Sequence, residues 1–216
     1  DPEKLYQQML PFHKAGYQIA MHANGDEAIE AGVGVFHRLL ETHPRFDHRH
    51  RLEHVQMASD AMFRRMKSLG ICVNLFANHV YFWGDTHRHD TMGPAKARHL
   101  DAVGTAVRMG IPHSIHSDAP VTPLAPLFTM WCAVNRVTSS GHVLGESERI
   151  SPIDALRAVT IGSAYLLNCD EEYGSIEVGK FADFTVLSAD PCEVDPMEIK
   201  DIQVIATVLG GTVQMN

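Results

Sequence analysis

Several things that would narrow the class at once are missing from this sequence. Only four cysteines occur in 216 residues (Cys72, Cys132, Cys169 and Cys192), widely spaced and with no CxxC pair. That argues against a disulfide framework and reads as idle thiols in a reducing cytoplasm. No apolar run approaches the roughly 18–20 residues of a membrane span. No basic segment followed by an apolar one opens the sequence, so no signal peptide is visible. No basic block exists either. The 18 Lys+Arg against 26 Asp+Glu leave a net charge of −8, which argues against a nucleic-acid partner. No repeat or low-complexity segment is found. The first residue is Asp1 and not Met, which fits a processed product, a fragment or a trimmed chain.

What remains is ordinary in bulk. Hydrophobic residues make up 45% and charged residues 20%, as in a soluble globular protein with a sizeable core. The length suits one domain, or one with a small appendage. The count that stands out is histidine, at 14.

The first two-thirds alternate short apolar runs with helical patterns. Tyr17 to Met21, Arg51 to Val55, Ile71 to Leu75 and Ile111 to Ile115 read as strands. Between them, Ile29, Val33, Phe36 and Leu40 recur at helical spacing. Ser59 can cap a helix carrying Met62, Phe63, Met66 and Leu69, with Gly70 ending it. Asn78 to Gly93 is expected to be a long polar and aromatic loop. Pro94 is expected to open one helix running through Leu100, Val103 and Val107 to Gly110. Further helices are expected within Leu124 to Val137 and from Ser151-Pro152. Strands alternating with helices indicate parallel βα units. After Asn168 the texture turns β-rich, with a hairpin expected at Gly174–Lys180 and a tight turn at Gly210-Gly211. The expected division is 1–170 and 171–216.

Polar residues sit at the ends of these strands: His22 at the first, His54 at the second, and His116-Ser117-Asp118 at the fourth. The carboxyl ends of parallel strands open on one face, where barrel active sites lie. Imidazole nitrogen and carboxylate oxygen are ordinary ligands for zinc and similar divalent metals. Two histidines and an aspartate from different strands can therefore converge on a metal, or each can be a satisfied core or surface residue. His79, Trp83, Asp85 and His87 lie in the expected loop, as substrate contacts or as loop structure. Arg136 is expected to meet a substrate polar group or, by preference, to pair with an acid, and His43, His48 and His50 to be solvated surface. Met57, Met62 and Met66 read as core.

The wording of these segments goes further than their spacing. His22-Ala23-Asn24-Gly25-Asp26, Arg51-Leu52-Glu53-His54 and His116-Ser117-Asp118-Ala119-Pro120 resemble the metal-dependent amidohydrolase superfamily. The similarity is greatest to the branch with N-substituted formamide deformylases and exoenzyme regulatory proteins. Phe82-Trp83-Gly84-Asp85, Ala133-Val134-Asn135-Arg136 and Gly174-Ser175-Ile176 through Gly179-Lys180-Phe181-Ala182-Asp183 add to the resemblance, which spans about Tyr17 to Gln214.

The resemblance implies an α/β fold: the C-terminal half of a distorted (β/α)8 barrel, strands five to eight, within 1–170. Part of a small β-sandwich would follow in 171–216. It implies one or two divalent ions, zinc by preference, with His22, His54 and Asp118 as ligands. It also implies catalytic roles for Asp118, as proton shuttle, and for His54, as oxyanion stabiliser. The substrate class would be a small non-peptide amide, attacked by water whose pKa the metal lowers toward about 7. The superfamily's first-strand His-x-His pair has no counterpart; His48-Arg49-His50 and His87-Arg88-His89 have the spelling but not the place. The fourth-strand Lys or Glu is also missing. The expectation is therefore a C-terminal portion of a larger enzyme, binding metal weakly and inactive alone. Its partner would be the missing N-terminal half or a second copy, drawn by exposed sheet edges and a wide apolar face. The alternatives are a non-catalytic regulatory or binding protein that kept the fold, and a freestanding α/β module.

Overall fold

The four apolar runs of the first half form four parallel strands: β1 (Ala20–Ala23), β2 (Arg51–His54), β3 (Cys72–Leu75) and β4 (His113–Ile115). This is seen in a computed structural model that describes residues 1–215. The strands lie side by side in chain order. Parallel neighbours need a crossover, and helices supply it. A first helix, α1 (Pro2–Lys14), precedes β1; α2 (Asp26–Thr42) joins β1 to β2, and α3 (Asp60–Leu69) joins β2 to β3.

Local sequence explains these elements. Asp26 and Glu27 sit in the first turn of α2, where the helix dipole favours negative charge. Ile29, Val33, Phe36 and Leu39 then present one fully buried face. Gly32 lets that face approach the sheet: a Cβ there would lie 3.0 Å from Leu52 Cδ2. Ser59 caps α3 by accepting the Met62 N–H at 3.3 Å. Gly70, with φ of 67°, ends it in the left-handed conformation that glycine adopts without strain.

Strand register sorts side chains onto two faces. Met21, Leu52 and Val73 are paired neighbours, and all three belong to the core shared with the helices. His22, Glu53, Asn74 and Ser114 are paired across the opposite face. That face carries a polar ladder where a wide apolar one was expected. Arg51 Nε and Asn74 Nδ2 each donate to the Glu53 carboxylate at 2.6 Å, and Ser114 Oγ donates to Asn74 Oδ1 at 2.6 Å.

Two stretches between β3 and β4 depart from expectation. Asn78 to Gly93 is mostly helical: α4 (His79–Thr86) runs into a π-helical turn at His87–Thr91. His79, Trp83 and His87 share one face at i, i+4 and i+8, with ring centroids 5.0 and 5.1 Å apart. Conversely, the single helix expected from Pro94 to Gly110 is two, α5 (Pro94–Ala97) and α6 (Val103–Met109). The chain breaks at Asp101, whose φ is 45°. Arg136 claims the carbonyls there: its guanidinium donates to Leu100 O at 2.6 Å and Asp101 O at 2.9 Å.

After β4 come α7 (Pro126–Asn135), α8 (Pro152–Val159) and α9 (Ile161–Leu166). Ser151 caps α8 through the Asp154 N–H at 3.2 Å. A three-stranded antiparallel sheet follows, β5 (Phe184–Leu187), β6 (Val204–Leu209) and β7 (Thr212–Met215). Gly210 and Gly211, both at positive φ, turn β6 into β7. Gly174–Lys180 forms turns and not the expected hairpin. A short 3-10 segment, Pro196–Asp201, fastens this part to α7. Ile199 is fully buried there, Trp131 Nε1 donates to Met197 O at 3.0 Å, and Asn135 Nδ2 donates to Pro196 O at 2.8 Å.

The histidines before β2 are not solvated surface. His43 is half-buried, His48 is 6% exposed and His50 is fully buried, as is His13 on α1. Backbone donors fix their tautomers. The Ile19 N–H donates to His50 Nδ1, leaving the proton on Nε2, which donates to His13 Nδ1 at 2.8 Å. His13 Nε2–H then donates to His43 O at 2.7 Å. The His50 N–H donates to His48 Nδ1, so His48 Nε2–H donates to Leu69 O at 2.8 Å. His13 on α1 is what closes this chain, and it turns a surface spelling into a buried polar core.

Candidate metal centre

His22 on β1 and His54 at the end of β2 lie at adjacent register positions, because His22 pairs with Glu53 and Ala23 with His54. Simple alternation would put His54 on the helix-facing side with Leu52. Instead its ring packs against His22, centroid to centroid 4.6 Å. The backbone explains this: His54 and Val55 have φ of 72° and 55°. Left-handed backbone is costly for a β-branched valine. Strain of this kind collects where function over-determines the chain. Asp118, with φ of 53°, is a third such residue on the same rim.

Two of the three expected ligands converge with a histidine that the sequence places at a strand end but does not count among the ligands. His54, His116 and Asp118 each offer a ligand atom, all within 4.8 Å of one another. His22 stands beside this trio, against His54. The rings of His54 and His116 are 5.0 Å apart. The signal for His116 was present in the spelling His116-Ser117-Asp118, two residues from the aspartate.

The donor set suits a divalent metal. His54 is 8% exposed, and its Nδ1 is buried with no hydrogen-bond partner. Burial pushes the His54 pKa down against the pull of Asp118. Burial also takes His116 down to about 4. Both rings are therefore neutral at pH 7, the state that metal ligation requires. Glu53 is not available to a metal, since Arg51 and Asn74 occupy its carboxylate.

Phe76 forms the wall toward α4. Its ring stacks on His116 at 5.2 Å and on His79 at 4.9 Å, and lies 6.0 Å from Trp83. His79 and Trp83 thus stand behind Phe76. His79 Nδ1 also faces the buried Asp101 carboxylate at 3.5 Å. Asp85 is turned away from the trio: its carboxylate accepts from Thr138 Oγ1, Ser139 Oγ, Ser140 Oγ and the Ser140 N–H. Arg136 is 1% exposed, and burial lowers its pKa to about 10. Its donors go to backbone carbonyls and not to the acid expected as its partner, and it has no opening to a substrate.

Known proteins resemble this chain in sequence and in fold. The family model described as the Amidohydrolase family matches residues 3–214. The chain is 31% identical to a protein of Bacillus subtilis (strain 168) named as amidohydrolase YtcJ, over 99% of this chain and 40% of the relative. It is 30% identical to an N-substituted formamide deformylase of Arthrobacter pascens, over 93% of this chain and 37% of the relative. A crystal structure of an uncharacterized metal-dependent hydrolase from Pyrococcus horikoshii OT3 superposes with a TM-score of 0.78 at 23% identity. That match covers 91% of this chain and 39% of the other. The chain thus spans about two-fifths of the length of the curated relatives it matches.

Proposed function

The chain belongs to the amidohydrolase family, and from that premise we propose that it carries one side of the active site of a metal-dependent hydrolase. The substrate class is a small molecule with a non-peptide amide carbon–nitrogen bond, cleaved by water. The convergence of His54, His116 and Asp118 beside His22 at the carboxyl ends of parallel strands carries this reading. In the same reading the parallel sheet is the later half of a (β/α)8 barrel within 1–170, and the antiparallel sheet is part of a β-sandwich within 171–216.

His22, His54 and Asp118 would hold one or two divalent ions, zinc by preference. A divalent metal bound there supplies Lewis acidity and makes water a nucleophile near neutral pH. Asp118 is placed to take the proton of the attacking water and to return it to the leaving nitrogen, since the amine must leave protonated. His54, held neutral, faces the same space and can steady the oxyanion that develops on the substrate carbonyl. Three protein ligands or four are usual for zinc. His22, His54 and Asp118 divided between two ions fall short of that, so the isolated chain is expected to bind weakly and turn over no substrate.

Equilibrium dialysis against zinc tests the reading. Binding that is lost in both His54→Ala and Asp118→Ala, with the fold retained, supports it. Undiminished binding in both variants would overturn it.

A further inference from the structure

One hydrogen bond to His116 sets the protonation of both its ring nitrogens. Its Nδ1 accepts the Asp118 backbone N–H at 3.1 Å. A backbone amide can only donate, so that Nδ1 carries no proton, and in the neutral ring the proton sits on Nε2. This Nε2 is buried and has no hydrogen-bond partner among the described residues. A buried N–H without an acceptor is costly, and such groups in folded proteins call for a partner. The ring is fixed between Phe76 and His54, so the orphan is not a freely turning surface group.

The consequence separates two histidines that distance alone would treat alike. A nitrogen engaged by an N–H donor has no free lone pair, and a protonated nitrogen has none at all. His116 therefore offers a metal nothing in this arrangement. The Nδ1 of His54 is under no such constraint, because it is buried with no hydrogen-bond partner among the described residues.

We propose that His116 is the N–H donor of this site and not one of its metal ligands. Its Nε2–H is directed at an electron-rich oxygen beside His54 and Asp118: the attacking water, or the substrate carbonyl oxygen as charge builds on it. The donor role rests on the hydrolase reading above; the tautomer rests on geometry alone. Asp118 thereby has two links to the chemistry. Its carboxylate handles the proton, and its backbone N–H sets the ring that meets the oxygen.

The test is a long-range proton–nitrogen correlation of the histidine side chains in the nitrogen-15-labelled chain, recorded without metal and then with zinc chloride. The expected result is an unprotonated Nδ1 and a protonated Nε2 for His116 in both spectra, while His54 resonances shift with zinc. A proton on Nδ1 of His116, or zinc displacing the proton of its Nε2, would overturn the assignment. If zinc shifts no histidine at all, the hydrolase reading fails, whereas the metal-free spectrum still decides the tautomer. A His116→Gln variant that keeps its denaturation midpoint should retain the zinc-induced shift at His54. Loss of that shift would make His116 a ligand.

Discussion

Acid should destabilise this protein well above the range where carboxylates titrate, because its core holds histidines that stay neutral. His50 is the clearest case. Burial, with His48, His13 and Arg45 close by, pushes its pKa from 6.5 down to about 3. Between those values the unfolded chain binds a proton that the folded chain refuses, so stability rises with pH. It is complete above about 6.5 and drains away as pH falls below that value. Each pH unit removes about 1.4 kcal/mol, so the loss attributable to His50 from pH 6.5 to 5 is about 2 kcal/mol. That is a large share of a total near 5–15 kcal/mol. Burial moves His48, His54, His113 and His116 in the same direction. Urea unfolding at several pH values between 7.5 and 5 measures the slope. A His50→Asn variant should be less stable at pH 7, because Ile19 and His13 lose their partner, by about 1–3 kcal/mol. Its deficit should then shrink by about 2 kcal/mol on reaching pH 5. A deficit that stays constant with pH would refute the reasoning.

Two further outcomes follow from buried contacts. Arg136→Met keeps the stem but strips the donors from the Leu100, Asp101 and Leu144 carbonyls, and removes a buried positive charge favoured by Asp101 and Glu148. The expected cost is about 3 kcal/mol or more in urea unfolding, since each buried carbonyl left without its donor costs about 1–3 kcal/mol. Asp85→Ala frees the turn at Thr138–Ser140 and should cost about 1–2 kcal/mol. Its zinc binding in dialysis should match the unaltered chain, because the carboxylate faces that turn and not His54.

The parts of this fold that could be read from sequence are those whose causes are local. The four strands are short apolar runs bounded by turns and caps, and Ser59, Gly70 and Ser151 act within a few residues of where they stand. His22, His54 and Asp118 were legible as strand-end residues. The parts that escaped depend on distant partners. The break at Asp101 has no proline or glycine to announce it, because it is made by an arginine 35 residues downstream. His50 is buried by a histidine 37 residues upstream. The helix over His79–Thr86 hid behind polar composition, although the spacing of His79, Trp83 and His87 was there to be counted. His116 needed the direction of a backbone hydrogen bond, which no spelling contains.

The central claim is that the carboxyl ends of β1, β2 and β4 form one side of a metal site. Anomalous diffraction at the zinc absorption edge, from crystals of the chain grown with zinc, locates the ion directly. The account predicts a peak in coordination range of His54 and of His22 or Asp118, with Nε2 of His116 outside the coordination sphere. A peak bound through both His116 and Asp118 would contradict the assigned ligand set. A zinc site only elsewhere, such as the His13–His50 cluster, would contradict the account as a whole.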